Sequence, residues 1–187
     1  MPAYSKGMPV GTPAPPFTLP SVDGKTYTLA SFADSKLLVI IFTCNHCPYA
    51  QAVEDRIVQL ARDYTRKGVA VAAINPNDAR AYPEDSFDKM VERAKAKGYT
   101  FPYLRDETQA IARAYDAACT PDIFVFDGQR RLLYNGRLDD NWKEPHKVQR
   151  HDLRLVLDAA LEAGGFDSGK LDFDPIPSMG CSIKWKT

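Results

Sequence analysis

Residues 37–43, Leu-Leu-Val-Ile-Ile-Phe-Thr, form an unbroken apolar run that leads straight into two cysteines, Cys44 and Cys47, with only Asn45 and His46 between them. A short run rich in β-branched residues, with no polar alternation, predicts a strand covered on both faces. Such a strand needs a packed layer on each side, which points to an α/β sheet structure. The cysteines fall where this strand gives way to a helix. From Pro48 to Lys67 the apolar residues Val53, Ile57, Leu60, Ala61 and Tyr64 recur on one helical face, and Gly68 ends the pattern.

A second buried strand is predicted over residues 69–75, Val-Ala-Val-Ala-Ala-Ile-Asn, followed by the polar loop Pro-Asn-Asp-Ala-Arg-Ala-Tyr-Pro-Glu-Asp-Ser. The next helix runs to Lys97, capped by Ser86 and stopped by Gly98. A short helix over residues 108–118 carries Ile111, Ala112 and Tyr115. Residues 122–127 and 131–136 then read as two antiparallel strands joined at Gly128-Gln129, and a last helix spans residues 148–163, ending at Gly164-Gly165. Near the N-terminus, Asp23-Gly24 between short Thr/Tyr/Phe runs signals another hairpin. The expectation is one domain over residues 1–187 with a mixed sheet flanked by helices. Residues 166–187 form an extended tail packed on it through Ile176, Met179, Ile183 and Trp185.

The chain holds 24 Lys+Arg against 24 Asp+Glu, so no basic surface argues for nucleic acid or an anionic membrane as partner. The opening Met-Pro-Ala-Tyr-Ser-Lys-Gly-Met-Pro-Val-Gly has no apolar run, and Leu-Leu-Val-Ile-Ile-Phe is too short to span a bilayer. A cytoplasmic location is the expectation, and there stable structural disulfides are rare.

Two thiols at this spacing can be a redox pair, part of a metal clamp, or inert buried residues. A structural zinc site wants a second close pair of ligands, whereas Cys119 and Cys181 stand alone and His146 and His151 lie in a polar stretch. A strand-to-helix junction favours redox chemistry, because the orphan N–H groups and dipole of the helix stabilise a thiolate. Cys44 is then the attacking nucleophile and Cys47 the resolving thiol. An imidazolium at His46 would lower the Cys44 pKa and make the pair more oxidising. No cofactor or metal is needed. The partners are a protein or small-molecule disulfide and a thiol electron donor. Cys181 is either a third resolving or regulatory thiol, or a small residue buried at a turn set by Gly180.

A strand ending in Cys-x-x-Cys, with Thr120-Pro121 later preceding another strand, resembles the thioredoxin superfamily. The resemblance implies the thioredoxin fold, a cis Thr120-Pro121 bond against the cysteines, and a role for that dipeptide in presenting backbone to substrate. Ala14, Pro15, Phe17, Leu19, Asp23, Gly24, Leu29 and Phe32 are similar to the opening of the peroxiredoxin and cytochrome-maturation branch. The loop after residue 75 and the terminal Pro-Ser-Met-Gly-Cys-Ser-Ile-Lys-Trp resemble a peroxiredoxin-like bacterial subgroup. Three features depart from the wider pattern. Thr43 stands where ordinary thioredoxins have Trp, and Asn-His replaces Gly-Pro. The buried acid of the strand before the motif is missing, so Cys47 needs another base. The Pro, Thr/Ser, Cys spacing of peroxiredoxins is also absent, which leaves thiol peroxidase as the alternative to disulfide exchange.

Overall fold

The computed structural model describes residues 1–163, 171 and 173–187. In chain order its strands and helices are β1 (Ala3–Tyr4), β2 (Thr18–Pro20), β3 (Thr26–Thr28), β4 (Leu37–Phe42), α1 (Pro48–Thr65), β5 (Val69–Asn75), α2 (Phe87–Lys97), β6 (Tyr103–Arg105), α3 (Ala110–Ala114), β7 (Cys119–Thr120), β8 (Asp122–Phe126), β9 (Leu132–Asn135), α4 (Asp152–Glu162) and β10 (Met179–Ser182). The central sheet has the order β6-β5-β4-β8-β9. Strands β4, β5 and β6 are parallel, while β8 and β9 run antiparallel to their neighbours. This is the thioredoxin fold.

Strand alternation divides the core in two. Leu37, Val39 and Ile41 face one side and pack with Val53, Ile57 and Leu60 of α1 and Leu153, Val156 and Leu157 of α4. Leu38, Ile40 and Phe42 face the other, against Ala112 and Tyr115 and the N-terminal Ala14, Phe17 and Leu19. All six residues of β4 are therefore buried, as a strand covered on both faces requires. Ser86 caps α2 by accepting from the Lys89 N–H, and Gly98 closes it at φ +66°. Both predicted hairpins form, with β2 paired to β3 and β8 to β9.

Two helices are shorter than their periodicity suggests. Helix α3 is bounded by Gln109 and Asp116, both at positive φ. Helix α4 begins only at Asp152, because Pro145–Lys147 forms a separate 3-10 turn. The expected stop at Gly164-Gly165 lies outside the described residues, as do residues 166–170 and 172 of the tail. Among the described residues no helix is long and apolar enough to cross a membrane.

The end of the chain is a strand. β10 pairs antiparallel with β1 on one side and with β7 on the other, forming a second sheet. Ile183 is 2% exposed and Trp185 packs under the Arg113 guanidinium at 4.3 Å. Ile176 corrects the expectation, since it stays 40% exposed and contributes its carbonyl, to the Arg137 N–H, instead of its side chain. Buried Asn77 and Gln109 fasten the segment further, Asn77 through the Lys184 N–H and Gln109 through the Lys184 carbonyl and the Lys186 N–H.

Candidate functional site

Helix α1 starts at Pro48 with Cys47 as its N-cap. A proline is tolerated there because the N–H it lacks would have had no intrahelical partner. Cys44 therefore lies before the helix, and Cys47 occupies its threshold. Cys44 is 4% exposed and Cys47 is fully buried, against Ala50, Tyr49 and Cys181. The Thr120-Pro121 peptide is cis, as the resemblance implied. The Thr120 hydroxyl lies 3.3 Å from Cys44 Sγ, and its carbonyl oxygen lies 3.2 Å from Cys47 Sγ. Thr43 is buried and donates its N–H to the Ile74 carbonyl, which continues the β4–β5 ladder up to the motif.

The two thiols perturb one another. Cys44 and Cys181 pack in one cluster with Cys47, whose S–H donates to the Thr120 carbonyl. The neighbouring Cys44 thiol draws the Cys47 pKa below its ordinary value, against the opposing effect of burial. Cys44 is pushed up by its neighbour Cys47, by burial and by the nearby Asp85 carboxylate. Cys47, as N-cap, lies nearer the helix N-terminus than Cys44.

His46 lies close to Cys44 and is also tied to Asp85. Its Nδ1 donates to Asp85 Oδ2 at 2.5 Å, and its ring stacks on Tyr82 at 5.1 Å. Any positive charge it carries is matched by a carboxylate that itself opposes a Cys44 thiolate. Asp85 is fully buried and also accepts from the Asn45 N–H at 2.6 Å, Asn75 Nδ2 at 3.2 Å and Asn77 Nδ2 at 2.9 Å. Asn45 in turn accepts from the Tyr103 hydroxyl. Ligand atoms of Cys44, His46 and Asp85 lie within 4.8 Å of one another. With its oxygens already bonded to four donors, Asp85 is a strut of the motif loop.

Asp85, Asn75, Asn77 and Tyr103 are the site residues that sequence reasoning missed. The available signal was Asn75-Pro-Asn77 directly after a buried strand. Cys119 is buried as expected, its thiol directed at the carbonyls of Pro121 and Ser178. A cavity of about 250 Å³ opens beside Pro121, walled by Tyr49, Val53, Ile123 and Trp142 among others.

A buried acid does exist, on the neighbouring strand. Asp122 of β8 lies opposite Phe42, and burial raises its pKa from 3.8 to about 6 despite hydrogen bonds from Ala118, Ser5 and Asn135. An unfolded carboxyl titrates near about 3.9, so the folded state holds this proton more tightly. The associated stability is complete below about pH 4 and is lost as pH rises through about 6, a difference of about 3 kcal/mol. Thermal unfolding of Asp122→Asn should therefore lack a decline between about pH 4 and 6 that the parent shows. Identical pH profiles would refute this assignment.

A thioredoxin fold with two hydrogen-bonded thiols at the sheet–helix junction defines a thiol-based redox class. The sequence profile of the AhpC/TSA family matches residues 10–135, and the chain belongs to that family. It is 28% identical over 107 residues to a peroxiredoxin-type protein of Mycobacterium tuberculosis, covering 57% of this chain and 63% of that one. The thiol-disulfide oxidoreductase ResA of Geobacillus kaustophilus is 26% identical over 139 residues, covering 73% of this chain and 75% of ResA. The crystal structure of an uncharacterised conserved protein from Geobacillus kaustophilus superposes with a TM-score of 0.91 at 44% identity, covering 100% of this chain and 97% of that one.

Proposed function

We propose that the protein is a thiol-disulfide oxidoreductase that cycles Cys44 and Cys47 between dithiol and disulfide. The observation that carries this reading is the pair itself, two thiols at the sheet–helix junction, each within hydrogen-bond distance of Thr120. Cys44 keeps the only solvent exposure of the two, so it is the sulfur that an external disulfide reaches. In the encounter Cys44 gives its proton to water and its thiolate attacks one substrate sulfur. The S–S bond of the substrate breaks, and its departing thiolate takes up a proton. Cys47 then gives up its proton and attacks Cys44, which releases the second substrate thiol and leaves Cys44–Cys47 as the disulfide. One disulfide is reduced to two thiols, and one dithiol is oxidised. Asp85 and His46 position the motif loop, and the apolar cavity beside Pro121 offers a seat for the substrate flank. A thiol donor returns the pair to the dithiol, its resting state in a reducing compartment such as the cytoplasm.

The test is a Cys47→Ser variant incubated with a disulfide substrate such as oxidised glutathione. A mixed disulfide at Cys44 should accumulate to near stoichiometry, while the parent should resolve it and lose two thiols within the 44–47 peptide. A parent that never forms the Cys44–Cys47 link sinks the reading. Peroxide consumption with a thiol donor, in excess of disulfide exchange, would favour the peroxidase alternative instead.

A further inference from the structure

Strand β10 brings a third sulfur to the pair. Cys181 lies directly opposite Thr120 in the β10–β7 ladder, so the two side chains project from the same face. On that face the Thr120 hydroxyl meets Cys44 Sγ, and Cys181 packs against the cluster of Cys44, Cys47 and Ala50. The adjacent registered residues, Cys119 and Ser182, point to the opposite face. Cys47 is thus flanked by two thiols. Among the three, Cys181 is the most open to solvent.

We propose that Cys47 forms two alternative disulfides, with Cys44 and with Cys181, so that β10 relays the oxidised state from the buried pair to a solvent-facing sulfur. This rests on the reading of Cys44 and Cys47 as a redox pair, whose disulfide substrate is the oxidant. The relay step itself is an isomerisation. Cys181 gives its proton to water and its sulfur attacks Cys47 Sγ. The Cys47–Cys181 bond forms as Cys44–Cys47 breaks, and Cys44 leaves with the electron pair and takes up a proton. An external thiol then attacks Cys181, and Cys47 departs as a thiolate and takes up a proton. A second external thiol attacks the mixed disulfide, which frees Cys181 and yields one external disulfide. In the reduced protein burial, with Cys47 alongside, pushes the Cys181 thiol up to about 11.

The experiment uses reduced Cys44→Ser protein, oxidised with one equivalent of diamide, alkylated, and digested without reductant. A monomer with a Cys47–Cys181 cross-linked peptide and loss of two of its three thiols is expected, the parent having four cysteines. The Cys44→Ser/Cys181→Ser double variant should lose that peptide, and Cys44→Ala should reproduce it if the serine hydroxyl perturbs the site. Parent protein oxidised in the same way should yield both the Cys44–Cys47 and the Cys47–Cys181 links. A parent that gives only Cys44–Cys47 overturns the relay and leaves the redox pair standing. The same follows if the Cys44 variants join Cys181 to Cys119 or to a second chain. A parent that gives neither link overturns the redox pair as well.

Discussion

Gly180→Ala should unseat β10 and open the two buried thiols to alkylation. A Cβ at this position would run into the Thr120 carbonyl oxygen, and would sit 2.6 Å from the carbonyl carbon and 3.1 Å from the Pro121 nitrogen. All three are backbone atoms, so no side-chain rotation relieves the clash. The same carbonyl faces Cys47 Sγ from the other side, which transmits the push to the site. Overpacking costs about 1–3 kcal/mol, and releasing Ile183 from the core costs about 1.5–3 kcal/mol more. A net loss of about 3 kcal/mol would lower the melting temperature by about 6–12 °C for a chain of this size. Labelling through local opening would speed up about a hundredfold. Unchanged melting and unchanged iodoacetamide labelling of Cys44 and Cys47 would show that β10 does not seal the pair.

The second large effect is expected at Asp85, where two substitutions separate shape from charge. Asp85→Ala strands the Asn45 N–H, the Asn75 and Asn77 amides and the His46 ring in a buried pocket. Each unsatisfied buried donor costs about 1–3 kcal/mol, though Asn75 retains the Tyr103 hydroxyl as a partner. A destabilisation of about 4 kcal/mol, or about 8–16 °C in melting temperature, follows. Asp85→Asn keeps the shape and removes the charge that opposes a Cys44 thiolate. Its melting temperature should lie between those of the parent and the alanine variant, and the pH midpoint for Cys44 alkylation should fall. A midpoint that holds still would take Asp85 out of the control of Cys44.

The elements that declared themselves in the sequence are those whose pattern is local. Strand β4 is a run of apolar residues, α1 repeats at helical spacing, and α2 carries its own cap and stop in Ser86 and Gly98. Strands β1, β6, β7 and β10 are two to four residues long, and their pairing lies in distant partners. Tyr-Leu-Arg is a strand at β6 because β5 offers it an edge. The site divides in the same way. Cys44, Cys47 and Thr120-Pro121 stood out as motifs, whereas the cluster around Asp85 draws on β5, β6 and a loop. That loop reads as polar and solvated, yet Asn77 is 1% exposed and Asp85 fully buried. The sequence set His46 beside a cysteine, and the fold adds a carboxylate that no local pattern announced.

The pairing of β10 with β1 and β7 has a consequence for the order of events during synthesis. A ribosome delivers Cys44 and Cys47 well before β10 (Met179–Ser182), the strand that covers them. At about 5–20 residues per second, roughly ten seconds separate the two. Throughout that interval β4, α1 and β5 can assemble around an uncovered pair of thiols, open to any oxidant or disulfide nearby. The folded protein guards its sulfurs with β10, and loss of that strand would return the chain to its exposed, nascent chemistry.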